Sequence, residues 1–368
     1  MVAVLFWICA GLLVYAQAGY ALLLKALSLL VRPRAAVAAG PPPRVSLIVA
    51  AYAEEAVIAA KVANARALDY PSFEVIVACD GSPDATAERA RAAGADLVLE
   101  LPRGGKIRAQ DQAVERASGD VVAFSDANAT LEPAALLRLV EPFADPAVGY
   151  VCGQVRFVNE EGGNQEGLYW RYEMALRTLE SRLASVTGGN GAIYATRRAD
   201  YLVVDPVMGH DLSFPFNMVK RGRRAVYAPQ ARATEKMVPT IEGEFARKRR
   251  MMSHAWPIVF RGGLLSPRGY SPFYALMIFS HRILRYLVWF LHLAALGLNV
   301  ALLGHGWVYT ATLAAQAALF AAAALPIRAR PLLVARYYVL TNASIALGLV
   351  DWLRRGTPAH WSAPEGTR

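Results

Sequence analysis

Asp80 and Asp126 each end a short apolar run and open a polar stretch, Asp80-Gly81-Ser82-Pro83-Asp84 in one case and Asp126-Ala127-Asn128 in the other. A carboxylate at a strand end can accept the ring N–H of a uracil and so prefer one base. In purely local terms the first stretch is also a turn into a helix, with Asp84 as its N-cap. Asp126 and Asn128, separated by one residue, offer the pair of oxygen ligands needed to tie a divalent cation, magnesium or manganese, to a diphosphate. As an isolated D-x-N the same pair is an ordinary polar loop.

Such residues work together only if strands deliver them to one edge. Val45–Ala50 is short, apolar and rich in β-branched residues, and Glu54–Leu68 then carries apolar residues at helical spacing. The alternation repeats through Glu74–Ala78, Asp84–Ala93, Asp96–Leu101, Ile107–Ala117 and Asp120–Phe124. It predicts an α/β domain whose mostly parallel central sheet is covered by helices on both faces. Ligands of such sheets bind beyond the carboxyl ends of the strands, where Tyr52, Glu54, Asp80, Asp126 and Asn128 all fall. A dinucleotide-dependent dehydrogenase shares the alternation, but no G-x-G-x-x-G follows the first strand.

At 55% hydrophobic and 18% charged, the 368 residues are too apolar for an ordinary soluble enzyme and suffice for one catalytic domain plus membrane segments. Val2 to Leu24 contains no charge and is long enough to span a bilayer. A cleaved signal peptide is the competing reading, through Ala16-Gln17-Ala18, but a basic start is missing and the apolar run continues past that site. Lys25, Arg32, Arg34 and Arg44 follow the helix, which places the next domain in the cytoplasm, beneath the plasma or inner membrane. Leu287–Leu303, Trp307–Leu325 and Leu332–Val350 bring the expected spans to four, with a re-entrant pair of short helices as an alternative.

The predicted divisions are an N-terminal membrane helix (1–31), a stiff proline-rich linker (32–43), the catalytic domain (44–235), amphipathic interface helices (236–272), a C-terminal membrane region (273–351) and a tail (352–368). The net charge of +10 gathers beside the membrane segments and suits anionic lipid head groups. It comes without zinc-finger spacing or an RNA-binding aromatic signature, which argues against a nucleic-acid partner. Cys9, Cys79 and Cys152 are too few and too dispersed for a disulfide framework, so free thiols are expected.

Tyr52-Ala53-Glu54-Glu55, the block from Tyr70-Pro71 through Thr86, Gly105-Lys106 and Asp126-Ala127-Asn128 resemble, in order, the motifs of glycosyltransferase family 2. This is the GT-A-fold family that includes cellulose, chitin, hyaluronan and poly-N-acetylglucosamine synthases. The resemblance runs from Val45 to about Trp256. It implies a nucleotide-sugar donor, most simply a UDP-sugar, bound by Tyr52, Glu54, Asp80, Lys106 and Asp126, with Asp126 and Asn128 on the cation. Lys106 taken alone is a solvated surface lysine; in the family its ammonium approaches the donor pyrophosphate.

Thr187-Gly188-Gly189-Asn190-Gly191-Ala192 is similar to the family's acceptor-site strand, which assigns Gly188, Gly189 and Asn190 to the acceptor; a flexible loop is the local alternative. His210-Asp211 stands where the family has paired acids, so the resemblance makes Asp211 the general base, although an isolated Asp before an apolar run is commonly a helix cap. Arg247-Lys248-Arg249-Arg250 resembles the block whose helix closes over the donor diphosphate, which implies donor roles for Arg247 and Arg250. A run of four basic residues is otherwise a solvated or lipid-facing surface. Ala50 and Ala53 replace the family's Pro and Asn, Cys79 an acidic or small polar residue, and Asn128 a carboxylate. The last block lacks its tryptophan, with Trp256 five residues later.

The resemblance therefore implies an inverting transfer to a membrane-associated saccharide or lipid acceptor in polysaccharide synthesis, with an export partner subunit where the product leaves the cell. Single-sugar addition to a membrane lipid, and a non-catalytic nucleotide-sugar-binding protein, are the alternatives.

Overall fold

The computed structural model describes residues 1–32, 40–158, 167–237, 240–325 and 329–359. α1 (Val2–Val14) continues through a π turn at Tyr15–Gly19 into α2 (Tyr20–Leu30), giving one helix of 29 residues, long and apolar enough to cross a membrane. Most of the expected linker lies outside the described residues.

The chain then alternates as its pattern predicts: β1 (Val45–Ala51), α3 (Ile58–Arg66), β2 (Phe73–Asp80), α4 (Thr86–Ala92), β3 (Leu97–Leu101), α5 (Lys106–Arg116) and β4 (Val121–Asp126). The remainder of the domain is β5 (Thr130–Leu131), α6 (Ala135–Val140), β6 (Val148–Val158), α7 (Leu168–Leu183), β7 (Ile193–Arg197), α8 (His210–Lys220) and β8 (Arg224–Lys236). All eight strands form one sheet in the order β3-β2-β1-β4-β7-β6-β8-β5.

The first four strands pair in parallel, whereas β7 runs antiparallel to both β4 and β6. The parallel half is buried on both faces, so its strands read as continuous apolar runs without alternation. Leu47 packs with α3 and α6 on one face, and Ile48 with α5 and α8 on the other. Register then does the positioning. Ala51 lies opposite Cys79, Ala50 opposite Asp126, and Asp80 opposite Leu101. The carboxyl ends of β1 to β4 are therefore level, and Tyr52, Asp80 and Asp126 share one edge.

α9 (Ile241–Phe260) follows the domain, then α10 (Pro272–Ile278), a π turn at Phe279–Ile283, α11 (Leu284–Tyr286), α12 (Val288–Ala301), α13 (Trp307–Ala324) and α14 (Arg330–Arg355). Where several interface helices were expected, α9 alone is present among the described residues of that stretch, because the glycines and prolines from Gly262 to Pro272 break the pattern. Three helices, Val2–Leu30, Trp307–Ala324 and Pro331–Arg355, are long and apolar enough to span a membrane. The pair Pro272–Tyr286 and Val288–Ala301 is bent by 64° and makes a fourth if counted as one span. Leu287–Leu303 is thus one limb of a bent pair rather than a straight span of its own.

α14 is fastened along α9. The Arg249 guanidinium pairs bidentately with Asp351 at 2.5 and 2.7 Å, and Trp256 donates its indole N–H to the Ile345 carbonyl. Phe260 stacks on Trp352 with ring centroids 5.5 Å apart. A methyl group on Gly348 would stand 2.7 Å from Met252 Cβ, so the two backbones approach closely there.

Candidate active site

The pocket at the level strand ends is lined by Tyr52, Glu54, Asp80, Arg103, Lys106 and Asp126, among others. Five of the donor residues expected from sequence therefore meet in one place. Asp80 is buried at 3% exposure, and both its carboxylate oxygens are engaged. Oδ1 accepts the backbone N–H of Gly104 at 2.6 Å and of Gly105 at 3.0 Å, while Oδ2 accepts Arg103 Nη1 at 2.6 Å. The Arg103 guanidinium also lies 3.2 Å over the ring centroid of Tyr52. Arg103 thus covers both the ring and the carboxylate on which a base would rest. It enters from the end of β3, a position the motifs did not single out.

The loop after β1 adds a local finding. Ala53 has φ 52°, and among the described residues it is the sole non-glycine with positive φ. Asparagine tolerates that left-handed conformation far better than alanine, so Ala53 is strained by about 1 kcal/mol. Hydrogen bonds pin the loop: Ala53 N–H to Ser82 Oγ, Glu54 N–H to Thr86 Oγ1, and Glu55 N–H to Asp84. Asp84 also accepts the Thr86 N–H and hydroxyl, but the N-cap of α4 is Ala85, so Asp84 holds the turn before the helix and is not the cap expected of it.

Lys106 opens α5 behind Gly105, whose φ of 95° suits glycine alone. Its ammonium forms an ion pair with Asp126. Behind this pair, the buried Lys61 donates to Ser125 Oγ and to the Ala129 carbonyl, both at 2.6 Å, and burial pushes its ammonium down to about 7. Glu235 reaches the same place because β8 pairs with β5, placing Thr234 opposite Thr130. Burial, and next the negative charge of Asp126, push its carboxyl up to about 7.

The carboxylates at this place are Asp126, which lines the pocket, and Glu235, which feels its charge; Asn128 is the second oxygen ligand expected from sequence. Such a set fits a magnesium or manganese ion that completes its shell with water and phosphate oxygens. Among the described residues, no three His, Cys, Asp or Glu side chains enclose a metal site by themselves.

Asp211 lies in the first turn of α8, whose N-cap is Gly209, so the capping reading of Asp211 does not hold. Its backbone carbonyl accepts the Gly189 N–H at 2.6 Å. The glycine strip runs from there in both directions. A methyl on Gly191 would stand 3.4 Å from Lys106 Nζ, one on Gly189 2.1 Å from the Tyr150 hydroxyl, and one on Gly188 2.3 Å from Arg282 Nη2. Asn190 is a correction: its side chain donates to the Gly153 carbonyl and accepts the Ile193 N–H, so it ties the strip to the sheet instead of facing an acceptor.

His210 is buried in an aromatic box, stacked on Phe214 at 4.1 Å and bonded through Nδ1 to the Tyr194 hydroxyl. Burial, with a smaller contribution from the Lys106 charge, pushes its imidazole down to about 3.

Arg247 and Arg250 stand on α9 and are not among the pocket-lining residues. Arg247 is held bidentately by Glu244, at 2.7 and 2.8 Å. Trp256 is 2% exposed in the α9–α14 contact and cannot stand in for an acceptor-facing tryptophan.

The chain leaves α14 at Gly356, with φ 68°, and comes back towards the pocket. Thr357 Oγ1 donates to the Ser253 carbonyl on α9, and a methyl on Gly105 would lie 2.2 Å from the Ala359 carbonyl oxygen. The segment after α14 thus bridges α9 and the loop whose N–H groups hold Asp80. Cys79 and Cys152 are buried free thiols and Cys9 is half-buried and free, as expected.

Comparison with known proteins agrees with this geometry. Residues 46–202 match the glycosyl transferase family 2 model. The chain is 32% identical over 216 residues to a beta-monoglucosyldiacylglycerol synthase of Synechocystis, covering 51% of this chain and 42% of that protein. It is 26% identical to an N-acetylglucosaminyltransferase of Sinorhizobium fredii, covering 89% of this chain and 87% of that one. A poly-beta-1,6-N-acetyl-D-glucosamine synthase of Staphylococcus aureus is 24% identical, and the matched part is 56% of its length. The chain thus spans about half the length of the first and third of these relatives. A mannosyltransferase from Pyrobaculum calidifontis, solved with GDP-Man and Mn2+, shares the fold at a TM-score of 0.75 and 21% identity, over 96% of this chain and 99% of that one. The mixed α/β sheet is the GT-A arrangement.

Proposed function

We propose that this chain, whose residues 46–202 match the glycosyl transferase family 2 model and whose sheet has the GT-A arrangement, is a glycosyltransferase that moves a sugar from a nucleoside-diphosphate donor to an acceptor held at the bilayer surface. The observation that carries this reading is the continuity of the glycine strip. Its Gly191 end adjoins Lys106 and its Gly189 is bonded to Asp211, so the donor-phosphate cation and the candidate base lie along one backbone segment.

In this mechanism the acceptor hydroxyl gives its proton to Asp211 as its oxygen attacks the anomeric carbon, and the diphosphate leaves on the opposite face with inversion. Lys106 stabilises charge on the departing phosphates. Asp126 and Asn128, with Glu235 beside them, would hold a divalent cation that neutralises the same charge. Arg103 vacates Tyr52 and Asp80 when the base binds. Asp80 can then accept ring N–H groups of uracil, the base expected from sequence, or of guanine, the base in the Pyrobaculum complex. The basic residues after α2 favour a cytoplasmic domain, where nucleotide sugars are made.

Burial of Trp256 favours addition of a single sugar to a lipid over chain growth, because no tryptophan of that block faces the acceptor. Purified protein should release diphosphate from one member of a UDP- and GDP-sugar panel, and faster with membrane lipid extract. Absence of release from every donor sinks the reading, and a polymeric product seen by gel filtration sinks the single-sugar form of it.

A further inference from the structure

Three residues on one face of α7, Glu173, Arg177 and Glu180, meet the π turn that carries His281, Arg282 and, one turn on, Arg285. The two carboxylates are fully used. Glu180 accepts Tyr20 Oη at 2.8 Å, His281 Nδ1 at 2.7 Å and the Thr187 N–H at 3.0 Å. Glu173 accepts Arg285 Nη1 and lies 3.2 Å from His281 Nε2.

Two guanidinium groups are left over. Arg282 donates Nε to the neutral Thr187 hydroxyl at 3.0 Å, and Arg177 donates Nη2 to the Gly189 carbonyl at 2.6 Å. Neither forms an ion pair among the described residues, although Arg177 is only 7% exposed. Arg282 Nη2, Arg177 Nε and Arg177 Nη1 are buried N–H groups with no acceptor. Burying the unpaired Arg177 cation is strongly unfavourable, and Arg282 beside it, although Glu173 and Glu180 favour its charge, keeps an orphaned N–H at the same short strip. Both abut the acceptor strip, Arg282 at Gly188 and Arg177 at Gly189, next to the backbone of Asp211.

We infer that Arg177 and Arg282 form an oxyanion subsite that holds a phosphate group of the acceptor at the membrane end of the glycine strip. The inference rests on the glycosyltransferase reading for the identity of the strip. Planar guanidinium forks match tetrahedral phosphate oxygens in pairs, and phosphate supplies acceptors for the N–H groups that Glu173 and Glu180, taken up by Arg285, His281, Tyr20 and Thr187, leave unbonded. Arg282 sits in the π turn just before the bend at Leu287, so the phosphate belongs to a lipid head group reaching that limb of the bent helix pair. Gly188 is a glycine because a side chain there would displace the guanidinium.

The test uses detergent-purified full-length protein saturated with UDP and Mn2+, which fill the donor site. Inorganic phosphate and micellar phosphatidic acid are the two probes, and thermal unfolding is the readout. The expected result is a rise of roughly 3 °C with phosphatidic acid in the wild type, abolished in Arg177→Gln and Arg282→Gln. A rise with phosphatidic acid alone assigns the anion to a lipid, and an equal rise with inorganic phosphate removes the lipid assignment. No rise with either probe, or equal rises in wild type and variants, overturns the subsite. If Arg282→Gln is not recovered folded, Arg282→Lys keeps the charge without the fork and should show a smaller rise. Donor turnover by the wild type, measured in the same preparation, separates failure of the glycosyltransferase reading from failure of this one.

Discussion

Gly189 donates its backbone N–H to the backbone carbonyl of Asp211 across 2.6 Å, so the strip that would carry the acceptor and the residue that would take its proton move as one body. Because this link is made by backbone, Asp211→Asn keeps it. Donor affinity measured by calorimetry should stay near the wild-type value, while diphosphate release falls about 10²–10⁴-fold, the usual range for a lost general base. An active, well-folded Asp211→Asn protein would remove the assignment.

Arg103 and Asp80 should respond in opposite directions. Arg103 competes with the base for Tyr52 and Asp80, so Arg103→Ala should tighten donor binding, by about tenfold if a charge-assisted hydrogen bond of ~1.5 kcal/mol no longer has to break. Asp80→Ala should weaken binding by a similar factor or more. Titration of each variant with the nucleoside diphosphate decides; weaker binding in both would mean that Arg103 itself holds the donor.

In the proposed metal site Asn128 would supply a neutral oxygen, where a second carboxylate would attract a cation more strongly. Chelator should therefore lower activity, and Asn128→Asp should lower the manganese concentration at half-saturation, read by electron paramagnetic resonance of free Mn2+ without donor. Full activity in excess chelator would end the metal role.

His210 gives a pH dependence of defined sign. Its folded-state pKa of about 3 lies below the ordinary 6.5, so below pH 6.5 the unfolded chain takes up a proton that the folded chain refuses. Stability is fully present above that pH and falls as the pH drops towards 3, by up to ~1.4 kcal/mol per pH unit. His210→Gln should melt with a shallower pH slope over this window. Identical slopes in thermal unfolding would contradict the buried neutral imidazole.

The parallel half of the sheet was legible because its strands are apolar on both faces and stop abruptly at polar residues. Val45–Ala51 and Val121–Asp126 end level with Asp80, and local pattern alone implied that edge. Arg103 and Glu235 escaped notice because register, not spacing, brings them in, one from the end of β3 and one through the β5–β8 ladder. Asn190 was misassigned since a polar residue between glycines reads the same whether its amide faces a ligand or the sheet. The bend between α11 and α12 lies inside an evenly apolar stretch, where hydropathy has no contrast to offer.

The contact of the Ala359 carbonyl with Gly105, moored through Thr357 to Ser253, has a practical side for anyone producing the protein. An affinity handle or fluorescent reporter fused just beyond this point would emerge at the mouth of the nucleotide pocket and crowd the substrate. The exposed end of α4 at Ala92 offers a gentler place to label the molecule, whereas Gly94 just after it, with φ 92°, admits no side chain without strain.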